Sequence, residues 1–275
     1  MQIGPSALQN DRDYKVTAVL YGYFALSGDQ GESAICCLDG FIAEADDWNE
    51  FDHAWNSSLP DPVVGFDATT CFDGSGAFQS WDIRRRYAVV AGFSEVLARS
   101  ALVPVGTFVV RKHFSSLSSA DRAILSAEGI ESPLDLIFYD WTERIIFRVH
   151  EQSEKISLVL CHDSQAEQYR KLFNKHLSRY LLGPHLTGNL GFARLCDYNH
   201  LQAAKLLSET ALLIETRKRF LRPAETPFPI PKFLQQIADQ VLQQGRFDAA
   251  ELHKLTERLK GLAKTNPYRK RDPRS

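Results

Sequence analysis

Apolar positions along the chain follow two spacings, one typical of buried strands and the other of amphipathic helices. Residues 14–26 (YKVTAVLYGYFAL) and 34–43 (AICCLDGFIA) are rich in β-branched and aromatic side chains, with a turn at 27–31 between them. This arrangement predicts a β-hairpin. Further strands are predicted over 63–66, 102–110, 156–161 and 190–195.

Helical spacing of apolar residues dominates the segments between these strands. Trp48, Phe51 and Trp55 repeat at the interval that places them on one face of a helix over 46–55. The other helices of the first 220 residues are predicted over 82–99, from 118 onward, over 133–150, after 164 and over 200–220. Two early strands followed by alternating helices and strands predict an α/β fold, a mixed sheet flanked by helices.

A linker is predicted where four prolines fall within 222–231. We therefore expect a main domain over 14–222 and a separate segment over 223–275. In that segment Gly245 separates two apolar stripes, which predicts a C-terminal helical hairpin followed by a basic tail.

Net charge, the length of apolar runs and cysteine spacing argue against several classes of protein. A formal net charge of −2 over 275 residues gives no whole-chain attraction to nucleic acid or to a membrane. No apolar run approaches the roughly 20 residues that a bilayer span needs, and the N-terminus lacks the layout of a signal peptide. The five cysteines have no metal-ligand spacing, so buried thiols in a reducing compartment are expected rather than a zinc site. We expect a cytoplasmic protein without a membrane partner.

Four segments in a fixed order carry a family resemblance. They are 23–29 (YFALSGD), 66–70 (FDATT), 158–163 (LVLCHD) and 201–207 (LQAAKLL). Together they resemble the domain-of-unknown-function family 3800 (DUF3800), a prokaryotic family with a ribonuclease H-like core, over about residues 14–219. The resemblance implies a ribonuclease H-like mixed sheet. It also implies carboxylates that hold two Mg²⁺ ions, about 3.5–4 Å apart, astride a phosphodiester.

The chain departs from the family pattern at most of the implied metal ligands. The substituted positions are Ala25 and Leu26 in place of two acids, Asp67 in place of a histidine, Thr70 in place of an aspartate and Lys205 in place of the aspartate of the late helix. Asp163 alone remains of the three core carboxylates. Because hard divalent cations need anionic oxygen ligands and a lysine repels them, these substitutions argue against catalysis more than against the fold.

Several candidate residues have two interpretations. Asp163 is a retained catalytic ligand or a helix-start residue that complements the helix dipole, and Asp197 is a substitute ligand or another helix-start residue. Lys205 either extends its head group into solvent or pairs with Asp163 in the former metal site. The remaining acids from which a site could be rebuilt are Asp29, Glu32, Asp39 and Asp67.

Basic side chains suggest two surfaces for nucleic acid. The candidates are Arg84, Arg85 and Arg86 in one helix, and Lys270 and Arg271 in the tail. A solvated helix face and a soluble tail are the alternatives. The stripe of Leu252, Leu255, Leu259 and Leu262 packs against the protein's own body or forms a homodimer or partner contact.

The sequence thus predicts a catalytically degenerate, nuclease-like scaffold that binds nucleic acid or protein and needs no cofactor. One alternative is a Mg²⁺- or Mn²⁺-dependent nuclease with a rearranged carboxylate site. Another is a protein-interaction subunit that assembles through the C-terminal hairpin. Whether the protein is an enzyme is left open, with non-catalytic binding favoured.

Overall fold

A mixed β-sheet forms the centre of the structure. The computed structural model describes residues 19–28, 33–61, 63–152, 155–161, 165–180, 187–220 and 228–262. The strands are β1 (Val19–Ser27), β2 (Ile35–Glu44), β3 (Val103–Val110), β4 (Lys155–Cys161), β5 (Thr187–Ala193) and β6 (Arg246–Phe247). They lie in the order β5-β4-β1-β2-β3-β6.

The pairing confirms the predicted hairpin and the mixed sheet. β1 pairs antiparallel with β2, and β2 pairs antiparallel with β3. β4 is parallel to both β1 and β5, and the short β6 is parallel to β3. The carboxyl ends of β1, β4 and β5 therefore meet at one edge of the sheet.

Helices cover the sheet. They are α1 (Ala45–Ser58), α2 (Ala68–Asp73), α3 (Ile83–Arg99), α4 (Arg111–Ser115), α5 (Ser119–Ala127), α6 (Pro133–Gln152), α7 (Ala166–Leu177), α8 (Asn199–Phe220), α9 (Lys232–Gln244) and α10 (Ala249–Leu262). The expected α/β class, with helices flanking a mixed sheet, is confirmed. No described helix combines the length and apolar character needed to cross a bilayer.

Each face of the sheet has its own apolar core. Trp141 of α6, Phe173 of α7 and Leu252 of α10 are buried in one core. Trp55 of α1 and Phe93 of α3 are buried in the other, together with side chains of α8 and α9. Residues from β2 enter both cores, which explains its nearly continuous apolar sequence.

The strand predicted over 63–66 is wrong. Val64 lies in a loop and is 97% exposed, whereas Phe66 is buried beside Trp55. Val63 and Val64 are two apolar residues beside a proline, which is too short a run to form a strand, and the segment leads the chain into α2. The two-residue strand β6 was not expected.

The C-terminal hairpin packs on the body of the same chain. β6 joins the sheet between α9 and α10, and Leu252, Leu255 and Leu259 are at most 4% exposed. Arg258 of α10 donates to Glu143 of α6 at 2.9 Å. The side chains of these leucines therefore pack within their own chain. The domain boundary predicted at 222 falls in residues 221–227, outside the described part, and stays a prediction.

Candidate functional site

α8 brings its polar residues to the carboxyl end of β1. The helix packs on β1 and β2 and runs in the direction of β1. His200, near its start, stacks on Tyr23 with ring centroids 4.4 Å apart, and Ser208 lies 2.7 Å from Ser27, oxygen to oxygen. The end of β1 is where the family resemblance implies a metal site.

The ammonium of Lys205 occupies this position. Its Nζ lies 2.7 Å from Oε1 of Glu209, one helical turn further along α8. It also donates to the carbonyl of Leu26 at 3.2 Å and to Oγ of Ser27 at 3.1 Å. The side chain of Lys205 is only 19% exposed. The solvent-extended interpretation of Lys205 is therefore wrong, because its head group is bound by protein oxygens.

Electrostatics keep this lysine charged. Burial by itself lowers the pKa of Lys205, but the carboxylate of Glu209 outweighs burial and the net pKa is raised. A protonated lysine is a cation and a hydrogen-bond donor, and it cannot serve as a general base near neutral pH. The ion pair also engages the carboxylate of Glu209, which is the acid that α8 brings to the end of β1.

Hydroxyl and thiol groups complete the network. Ser27 donates to Oε1 of Glu209 at 2.9 Å and is 1% exposed. The thiol of Cys37 on β2 donates to the carbonyl of Ser208 at 3.5 Å. Burial raises the pKa of this thiol well above its ordinary value. The group is therefore a satisfied, buried polar cluster rather than a set of anionic ligands.

Ala25 and Leu26, adjacent residues of β1, face opposite sides of the sheet. Leu26 is buried in the core with Trp141. Ala25 is fully buried and pairs across the strands with Asp39 of β2. Neither position supplies an oxygen from its side chain.

Asp67 and Thr70 serve the local structure of α2. Asp67 is the N-cap residue and accepts from the backbone N–H of Thr69 at 2.9 Å. The hydroxyl of Thr70 donates to the carbonyl of Asp67 at 3.1 Å. Asp67 therefore caps a helix start.

Asp39 is buried without a hydrogen-bond partner for either oxygen. Its carboxyl group occupies the space that a side chain at Gly106 of β3 would fill, since a Cβ there would lie 1.9 Å from Oδ1. Burial raises the pKa of Asp39 to about 8, although the nearby Cys37 thiol and the Thr107 backbone lower it in part. At neutral pH this acid is largely uncharged, which makes it a poor metal ligand.

Of the two candidate catalytic aspartates, the structure describes Asp197. Asp197 lies on the surface before α8, where Arg194 donates to both carboxylate oxygens at 3.0 and 2.9 Å. These bonds lower the pKa of Asp197. Asp163, Asp29 and Glu32 lie outside the described part. Among the residues described, no three His, Cys, Asp or Glu side chains are placed to hold a metal ion.

The implied pair of divalent ions does not fit the residues present at this site. The described groups at the end of β1 and on the adjoining residues of β2 are a methyl, a leucine side chain, two hydroxyls, a thiol, the largely uncharged Asp39 carboxyl and the Lys205–Glu209 ion pair. An incoming divalent cation would meet an ammonium that is already bonded to the adjacent carboxylate.

The basic residues proposed for nucleic acid differ in their surroundings. Arg86 donates to the carbonyls of Cys71 and Phe72 at 2.7 Å, so it satisfies the end of α2 and is not available for phosphate. Arg84 and Arg85 are exposed, and the guanidinium of Arg85 lies 3.8 Å from the ring centre of Trp81. Lys270 and Arg271 lie outside the described residues.

Sequence reasoning missed Ser27 and Glu209. The spacing of Lys205 and Glu209, four residues apart on a helix, was a signal for an ion pair. Ser27 lies within the segment 23–29 that carries the resemblance, but its role could not be predicted because it depends on how α8 crosses the strand end.

Comparison with known proteins gives little further guidance. No protein-family model matches the chain, and no curated protein does. Among solved structures, the chain is similar to one from the complex of PCNA with RNase HII of Archaeoglobus fulgidus, at 9% identity and a TM-score of 0.37. The alignment covers 84% of this chain and 92% of that chain. A likeness this weak leaves any functional conclusion to the chain's own geometry.

Proposed function

We propose that this chain is a ribonuclease H-like protein of the DUF3800 type that has lost its metal site and works as a binding scaffold for nucleic acid or protein. The observation that carries the proposal is the ammonium of Lys205 at the carboxyl end of β1, 2.7 Å from Glu209.

The sheet order supports the fold part of the proposal. β1 lies at the centre of the sheet. On one side β2 pairs antiparallel with β1, and β3 pairs antiparallel with β2. On the other side β4 is parallel to both β1 and β5. The family resemblance implies a mixed sheet of this kind, with metal ligands from a central strand, from the end of a second strand and from a late helix. Fold alone does not assign a function, so the loss of catalysis is argued from the site.

The charge balance of the site supports the catalytic part of the proposal. Two divalent ions close together repel each other and require several carboxylates to hold them. Here one carboxylate is neutralised by a lysine, and two of the family's acidic positions in β1 are apolar. Lys205 stabilises the site without metal, in the way that a buried ion pair satisfies its own charges.

A nuclease assay tests the loss of catalysis. The wild-type protein and Asp163→Ala are incubated with single- and double-stranded DNA and RNA in Mg²⁺ or Mn²⁺. We expect no cleavage that distinguishes the two proteins. Metal-dependent cleavage that Asp163→Ala abolishes would show a rearranged active nuclease instead.

Fluorescence anisotropy with labelled oligonucleotides tests binding. Arg84→Gln/Arg85→Gln should weaken binding and reduce its salt dependence, because each lost cation removes a phosphate contact. Lys112→Gln/Lys232→Gln is the matched control, since both lysines are exposed and the charge change is equal. Wild-type protein that binds no oligonucleotide at low salt would exclude nucleic acid and leave a protein partner.

A further inference from the structure

A groove lies between α1 and α3, on the side of the sheet opposite α10. It has a volume of about 360 Å³. Apolar lining comes from Phe51, Ala54 and Val96, and acidic lining comes from Asp47, Glu50 and Glu95. This combination suits a ligand with an apolar anchor and positive charge.

The charged residues around the groove are mostly acidic. Residues 44–58 hold five acids and neither lysine nor arginine. Arg99, a cation among the described lining residues, is 3.6 Å from Glu95 in a pair whose side chains are both largely exposed. Such a pair is weak, so the groove keeps a net negative charge.

Gly92 is an independent sign that the groove is kept open. It lies within α3, where glycine is less favourable than alanine. A Cβ at this position would meet nothing within 4 Å, so packing does not require the glycine. What the glycine does provide is space, because it is one of the residues that line the groove.

We propose that the groove binds the C-terminal segment 263–275 of a second copy of this chain. That segment carries five basic residues and one acidic residue, with Tyr268 beside Arg269. The rest of the chain has a formal net charge of −6, since the whole chain has −2. Tyr268 supplies the apolar anchor, and the basic residues match the acids of α1.

The location of α10 favours a second copy as the donor. The leucines of α10 are buried in the core on one face of the sheet, whereas Phe51 and Phe93 lie in the core on the other face. The segment that follows α10 therefore starts on the side away from its own groove. Reciprocal exchange between two copies forms a closed dimer.

Sedimentation of the full-length protein at low and high salt tests this proposal. We expect a dimer at low salt that dissociates as salt screens the charges. Replacing Lys264, Arg269, Lys270 and Arg271 by serine should give a monomer, and Glu50→Lys should weaken the dimer roughly tenfold. Glu131→Lys, an equal charge change at an exposed residue before α6, should leave the dimer intact.

Two substitutions at Gly92 separate docking from folding. Gly92→Leu fills the groove and should weaken the dimer at low salt. Its melting temperature at high salt, where the wild-type protein is also a monomer, should not fall because open space surrounds the site. Gly92→Ala should weaken the dimer less. A monomeric wild-type protein overturns the proposal, even if it binds a labelled 263–275 peptide. A dimer that survives both the serine replacements and Glu50→Lys overturns it as well.

Discussion

Lys205 shows how a charged side chain is accommodated at a mostly buried strand end. A lysine in a buried position is costly unless an anion or a carbonyl oxygen accepts its hydrogen bonds. Glu209 and the end of β1 provide these partners. The sequence drew attention to Lys205, but the bonds that stabilise its charge depend on the position of α8 over β1.

Lys205→Met should destabilise the protein by about 2–3 kcal/mol, because Glu209 and Ser27 lose their cation in a mostly buried site. Urea denaturation near neutral pH measures the change. The double variant Lys205→Met/Glu209→Gln also removes the carboxylate that would be left without a partner. Compared with the two single variants, it should give a coupling free energy of about 1–2 kcal/mol between the two residues. Additive effects of the two substitutions would mean that the pair does not stabilise the fold.

Asp39 should make stability fall as pH rises. The native state holds the proton up to about pH 8, whereas the unfolded chain releases it near the ordinary value of 3.8. Between these values the native state binds more protons, so unfolding becomes easier by up to about 1.4 kcal/mol per pH unit. His176 has the opposite effect on stability, because burial lowers its pKa to about 3. This effect is confined to pH values below the ordinary pKa of 6.5, where the unfolded chain binds the proton.

Urea denaturation between about pH 6.5 and pH 8 isolates the contribution of Asp39. The wild-type protein should lose stability across this window, and Asp39→Asn should lose much less. Equal slopes for the two proteins would mean that Asp39 is ionised in the folded state.

At the scale of elements, amphipathic patterns predicted most of the helices and strands because each buries one clear apolar face. Trp48, Phe51 and Trp55 face the core as their spacing predicts. Strand β6 could not be predicted, since two residues carry no periodic signal. Its pairing depends on Gly245, whose carbonyl accepts from the backbone N–H of Phe108 at 2.9 Å.

The C-terminal hairpin provides a prediction at this scale. Leu252 of α10 is fully buried, so Leu252→Ala should cost about 3 kcal/mol, as for other buried leucines. Urea denaturation checks this loss, with Glu257→Ala on the exposed side of α10 as the control. An unchanged stability would mean that the leucine face of α10 is not packed on the body.

At the scale of the whole molecule, the alternation of elements predicted a mixed sheet, because two hairpin strands cannot be parallel and strands joined through helices usually are. The sequence could also direct attention to the end of β1, since an ordered set of segments resembling a known family includes this strand. It could not predict the surroundings of Asp39 between β2 and β3, because a buried acid in an apolar strand has no local signal for its neighbours.

Mn²⁺ binding to the full-length protein tests the central claim most directly, because it measures the metal site without assuming a substrate. Electron paramagnetic resonance follows the free ion as it is titrated into wild-type protein and Asp163→Ala. We predict that both proteins leave Mn²⁺ free until millimolar concentrations, since Lys205 and Glu209 already neutralise each other. Saturable binding of two ions that Asp163→Ala removes would contradict the account.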